Sequence, residues 1–159
     1  MATQTSAQPA PMGTGKDQFV ALKTYSGSCH CGTVRFEADV DLSQGTFKCN
    51  CSSCTKARSW LVVARPDRFR LIAGAEAQTL YQWTPPGHAG PNFKFHFCRN
   101  CGIRTPAWGE AEAMGGAFHA IQVTLLDGVD PDELAGAPIN YVDGRNDRFD
   151  LKPADTRLL

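Results

Sequence analysis

Ser28-Cys29-His30-Cys31-Gly32 and the later Phe97-Cys98-Arg99-Asn100-Cys101-Gly102 decide how this chain folds. Each stretch holds two cysteines, and a glycine follows the second cysteine of each pair. Glycine permits the positive φ that a tight turn around a metal needs. Two such pairs, far apart in sequence, make a four-thiolate set that would clamp an early strand to a later one. Metal binding there would contribute directly to folding. Between them, Cys49-Asn50-Cys51-Ser52-Ser53-Cys54 carries the other three of the seven cysteines. A closed structural zinc takes four ligands, whereas a chemically active zinc commonly takes three and keeps one place open. Seven thiols therefore divide as four plus three: one zinc that holds the fold and a second that can bind something.

Disulfide bonding is the rival use of these cysteines. Seven is odd, and two cysteines one residue apart rarely bond to each other without strain. Met1 to Lys16 has no basic start followed by an apolar run, so no secretory signal is expected. A cytoplasmic chain with reduced thiols that bind metal is the expectation. A length of 159 residues fits one domain, with residues 1–18 as a small, polar, disordered tail and 19–159 as a single zinc domain. The 16 basic side chains balance the 16 acidic ones. That argues against a nucleic-acid partner, which would call for a surplus of clustered Lys and Arg. No apolar run reaches the length of a membrane span, so no membrane partner is expected.

Hydrophobic patterning predicts a mainly β domain. Thr33 to Ala38 alternates, with Val34, Phe36 and Ala38 on one parity, as in a half-buried strand. Trp60 to Ala64, Phe69 to Ile72 and Gln78 to Trp83 are further strand candidates. Asn92 to Cys98 alternates again, with Phe93, Phe95 and Phe97 together, and Ala117 to Leu126 reads as a late strand. Thr84 to Asn92, rich in Pro and Gly, reads as a loop. One helical turn is expected near Asp132 to Leu134. A short helix is expected after Cys51, where Ser52 and Ser53 suit its start and its N-terminus would favour thiolates.

In an extended segment Cys49 and Cys51 point the same way, and Cys54 returns from the following turn. The fourth place at this triplet would be filled by water, a substrate thiol or a histidine. His96 is one candidate, because it lies on the parity opposite the three phenylalanines. His119 is the other, although its parity with Ile121 and Val123 suits a core histidine better. His30 is expected to point away from the first site, and His88 to lie in a solvated loop that can also cover a ligand. A zinc with three thiolates suits a soft partner better than it suits ionising water. The expected chemistry is capture of a small thiol as thiolate. The plainer expectation is a second structural zinc completed by histidine, or a free thiol cluster.

The order G-S-C-H-C-G, then C-N-C-S-S-C, then F-C-R-N-C-G resembles the glutathione-dependent formaldehyde-activating family, which includes centromere protein V-like members. The resemblance begins near Tyr25, takes in all seven cysteines, and extends through P-I-N-Y-V-D-G-R-N-D-R-F, Pro138 to Phe149. It implies a mainly β, Mss4-like (β-tent) fold of two antiparallel sheets held by zinc. It further implies two zinc ions, a structural one on Cys29, Cys31, Cys98 and Cys101, and one on Cys49, Cys51 and Cys54 that glutathione can reach. The reaction it implies is addition of glutathione to formaldehyde, in the carbon–sulfur lyase class, with Cys49, Cys51 and Cys54 as the catalytic group. Lys56, Arg58 and Arg104 are candidates to pair with glutathione's carboxylates, against a plain reading as solvated charge. Trp60 and Trp108 are candidate pocket walls, although core packing suits both better. The rival functions are a non-catalytic zinc-stabilised binding module and a thiol redox carrier.

Overall fold

The computed structural model describes residues 22–91 and 93–159, so the expected tail at 1–18 lies outside the described residues. Strands β1 (Lys23–Ser28), β2 (Arg35–Val40) and β5 (Phe69–Ala73) form a three-stranded antiparallel sheet in the order β1-β2-β5. The remaining strands are β3 (Thr46–Cys49), β4 (Leu61–Ala64), β6 (Gln78–Tyr81), β7 (Phe93–Cys98), β8 (Arg104–Ala111), β9 (Gly116–Gln122) and β10 (Ile139–Val142). They form a seven-stranded sheet ordered β10-β3-β4-β9-β8-β7-β6. Its pairs are antiparallel except for the edge strand β10, which joins β3 in parallel. The expected mainly β, two-sheet architecture is therefore present.

The seven-stranded sheet has two apolar faces, and that division organises the molecule. Because successive side chains in a strand alternate, Val62 and Ala64 of β4 and Ile121 of β9 point toward the three-stranded sheet. There they pack with Tyr25, Phe36, Ala38 and Val40 in a core whose centre, Phe36 and Ile121, is about fully enclosed at 1% and 0% exposure. The opposite parity, Leu61, Val63, Phe118 and Ala120, faces away from that core and packs with Phe93, Phe95 and Met114. A one-sided sheet would leave this second set in water.

Several expected boundaries move. The late strand predicted to run to Leu126 ends at Gln122, and Val123–Leu125 turn as a short 3-10 segment. The buried Val123 and Leu125 side chains explain the apolar run that read as strand. The helical turn near Asp132 is a full short helix, α2 (Pro131–Gly136), with Asp130 capping it by accepting from the Asp132 N–H. The pattern gave no warning of β8, whose Pro106 and Gly109 read against a strand. In the structure Pro106 falls where the register between β7 and β8 shifts, between Lys94 and His96. A proline that cannot donate to a ladder is accommodated at such an irregularity.

Candidate metal and thiol site

The first cysteine set forms at two turns of the same design. Cys29 follows β1, and its N–H donates to Val34, while the Gly32 N–H donates back to the Cys29 carbonyl. Cys98 ends β7, and its N–H donates to Ile103, while the Gly102 N–H donates to the Cys98 carbonyl. Gly32 and Gly102 both sit at φ +73°, a backbone region that disfavours any residue with a Cβ, as the sequence led us to expect. The turns bring the sulfurs of Cys29, Cys31, Cys98 and Cys101 within 4.8 Å of one another. Cys31 Sγ lies 3.6 Å from both Cys29 Sγ and Cys98 Sγ. Thiolates held tetrahedrally about zinc at roughly 2.3 Å would stand ~3.8 Å apart, so the donor set fits that ion. One turn belongs to the three-stranded sheet and the other to the seven-stranded sheet, so this cluster staples the two sheets together.

The second set lies at the end of β3 and in helix α1 (Ser52–Ala57). The expected helix is present, but Cys51 caps it rather than Ser52 or Ser53: its sulfur accepts from the Cys54 N–H at 3.4 Å. The sulfurs of Cys49, Cys51 and Cys54 lie within 4.8 Å of one another. Hydrogen bonds from the neighbouring Cys49 and Cys54 thiols, helped by the backbone N–H groups of Cys54 and Ser53, hold the Cys51 thiol well below its ordinary range. The Cys49 and Cys51 thiols in turn push Cys54 up, and burial adds to it. Three soft, close-set sulfurs, one of them readily ionised, suit a thiophilic metal.

No histidine joins this triplet among the described residues. His96 is turned to the sheet face opposite the cavity-lining Phe93 and Phe95, paired across from Leu80 and Thr105. His119 faces the core, stacked on Phe69 at 4.0 Å between ring centroids, as its parity indicated. Burial lowers the pKa of both, and in His119 the nearby His96 adds to the effect. Both histidine candidates for the fourth ligand are thereby set aside. His30 is exposed, as expected.

The triplet stands at one end of a cavity of about 470 Å³. Its walls are the second apolar face of the seven-stranded sheet, and its cover is formed by two loops. Trp83, Pro85, Pro86 and His88 come from the Pro/Gly loop, and Arg145, Asp147 and Phe149 from the segment after β10. The two covers meet where His88 Nε2 lies 3.3 Å from an Asp147 carboxylate oxygen. Of the expected cations, only Arg104 reaches the cavity. It donates to Ser53 Oγ at 3.1 Å and lies over the Phe95 ring at 4.5 Å. Burial pulls its pKa down, opposed by the charges of Cys54 and Cys51. Arg58 instead donates to the Leu158 carbonyl, and Lys56 is not among the cavity walls. Trp60 donates to Thr46 Oγ1 at 2.7 Å beside the core, and neither it nor Trp108 lines the cavity.

Sequence reasoning missed the residues that fasten the closing segment over the triplet. Asn50, between two of the cysteines, donates to Asp143 at 2.6 Å and accepts from the Arg145 N–H at 2.8 Å. These bonds seat Gly144 directly against the sulfurs: a Cβ there would lie 2.5 Å from Cys49 Sγ and 3.3 Å from the Cys51 Cβ. An alanine at 144 must displace Cys49 or lift the segment. We expect Gly144→Ala to weaken zinc binding at the triplet by about 10–100-fold, the usual effect of disturbing groups that orient metal ligands. Competition with a chromophoric chelator measures this, and unchanged affinity would show that the segment yields freely.

Comparison with known proteins adds three findings. A family model described as "Glutathione-dependent formaldehyde-activating enzyme" matches residues 24–141. A Halomonas elongata protein named "Putative glutathione-dependent formaldehyde-activating enzyme" is 33% identical over 92 residues, 53% of this chain and 58% of that protein. The match thus spans little more than half the length of that relative. A crystal structure of a Rhodobacter sphaeroides protein superposes with a TM-score of 0.57 at 31% identity, covering 72% of this chain and 99% of that one.

Proposed function

Since the chain belongs to the glutathione-dependent formaldehyde-activating family, we propose that it binds a small thiol, glutathione first among them, at Cys49, Cys51 and Cys54 and adds it to an aldehyde. The observation that carries this reading is the placement of the three thiols in the wall of a largely apolar cavity that Arg104 also lines. Cys29, Cys31, Cys98 and Cys101 would hold a structural zinc, and the triplet a second zinc with one open coordination place. When bound there, zinc supplies a lowered thiol pKa, so that the incoming thiol is held as thiolate. The chain's own side chains do the rest. Arg104, and Arg145 at the mouth, are placed to pair with glutathione's carboxylates. Phe93, Phe95 and Phe118 exclude water from the reacting sulfur. The segment 143–147, pinned through Asn50, keeps Cys49 and Cys51 in position.

The reaction is of the carbon–sulfur lyase class, and 19–159 acts as one zinc domain. No helix among the described residues is long and apolar enough to cross a membrane, and we propose that the protein works in the cytoplasm.

Calorimetric titration of reduced glutathione into zinc-loaded protein tests this directly, with oxidised glutathione as control. Binding of the reduced form alone, with proton release, is the expected result. Binding of neither form would move a non-catalytic zinc-held module or a thiol redox carrier ahead.

A further inference from the structure

Glutathione is a charged tripeptide and formaldehyde has two heavy atoms, so neither calls for an apolar, aromatic-lined recess within the cavity of about 470 Å³. The shape of the space beside the triplet therefore bears on the electrophile. Across the middle of the seven-stranded sheet, Val63 pairs with Ala120, and Ala120 with Ala107. Alanine is a weak strand former, and here two of them side by side hollow the sheet face where larger residues would otherwise fill it. The next rung is Phe118, Gly109 and Phe93. A Cβ at Gly109 would lie 2.7 Å from the Phe93 ring and 2.9 Å from the Phe118 ring, so the absent side chain lets both rings close over the backbone. They meet edge to face at 5.6 Å, and Phe95 stacks on Phe93 at the same separation.

Polar groups near this recess are engaged with protein partners. Gln122 accepts from the Trp60 N–H and donates to Ser59, and Thr105 donates to Gln78. No enclosed side-chain polar atom among the described residues lacks a hydrogen-bond partner. The recess itself thus offers contact area and aromatic edges, while the cations of the cavity, Arg104 and Arg145, are left for the thiol's carboxylates.

We propose that the recess between Ala107, Ala120 and the Phe93–Phe95–Phe118 rings receives a ring-sized apolar group carried by the aldehyde, so that the preferred electrophile is an arylalkyl or similarly bulky apolar aldehyde. This rests on the thiol-addition reading of the triplet. The thiolate sulfur attacks the carbonyl carbon, a C–S bond forms and the C=O π bond opens. The thiol's proton ends on the new hydroxyl, giving a hemithioacetal with no oxidant or reductant.

The test compares propanal with 3-phenylpropanal, whose carbonyls are of similar reactivity, using glutathione and zinc-loaded protein and subtracting the uncatalysed addition. Intrinsic tryptophan fluorescence is titrated in parallel with 3-phenylpropan-1-ol, which has the ring but no carbonyl. A kcat/KM at least tenfold higher for 3-phenylpropanal, with saturable binding of the alcohol, is the expected result. Ala107→Leu, or the milder Ala120→Val should the first not fold, is expected to shrink that preference at least fivefold. Equal or lower activity with 3-phenylpropanal and no alcohol binding would overturn the inference while leaving thiol addition in place. Addition to neither aldehyde would overturn the proposed function, and with it the assignment of the ring to an aldehyde, even if the alcohol bound.

Discussion

Replacing Cys98 with serine should leave a chain that no longer folds at 37 °C, even with zinc in excess. Cys98 is fully enclosed, at 0% exposure, and its sulfur sits in the only four-cysteine cluster among the described residues. That cluster joins turns from different sheets, so losing it frees the three-stranded sheet from one end of the other. A domain is stable by about 5–15 kcal/mol in total. Structural zinc in small thiolate sites supplies roughly 10–16 kcal/mol at neutral pH. Loss of one of four thiolates removes a large part of that, enough to cancel the net stability. Circular dichroism with temperature, on wild-type and Cys98→Ser protein of measured metal content, checks the expectation. A serine variant that melts within a few degrees of wild type would show that the cluster is no metal clamp.

Cys51→Ser should behave in the opposite way: a folded chain with one of two metals missing and thiol addition reduced at least a hundredfold. The triplet lies at one end of the seven-stranded sheet and in the short helix α1, with no contribution from the three-stranded sheet. The main core, centred on Phe36 and Ile121, does not include it. Serine can still cap α1, since its hydroxyl accepts from the Cys54 N–H as the thiol does. Helix and core should therefore persist while a soft ligand is lost. Elemental analysis and the glutathione titration read the two consequences separately. Failure of this variant to fold would make the second site structural as well, and would remove the basis for an open coordination place.

The contrast between these variants shows how unevenly the site was written in the sequence. The grouping of the cysteines was legible because metal ligation is local in each half: short spacings and a following glycine define the grip. The strands with clean alternation, Arg35–Val40 and Phe93–Cys98, were legible because each has one face on an apolar wall. Strand β8 was hidden by Pro106 and Gly109, residues that only the bulge against β7 and the neighbouring phenyl rings make acceptable. His96 was placed on the correct parity, but the face it occupies is turned from the triplet, and parity alone says nothing of which face a metal uses.

By itself, the sequence determined the division of thiols into four and three, the glycine turns that hold the four, and the mainly β character. These follow from residue chemistry at short range. The tertiary structure alone decided which cation stands beside the triplet, what covers it and how large the space beside it is. Arg104 reaches the cavity face because the register shift at Pro106 reverses the alternation between β7 and β8. Gly144 reaches the sulfurs because β10 returns to pair in parallel with β3, far from it in sequence. The recess exists because Ala107 and Ala120 meet side by side on neighbouring strands. All three depend on strand pairing across long stretches of chain, and no local pattern of side chains encodes that.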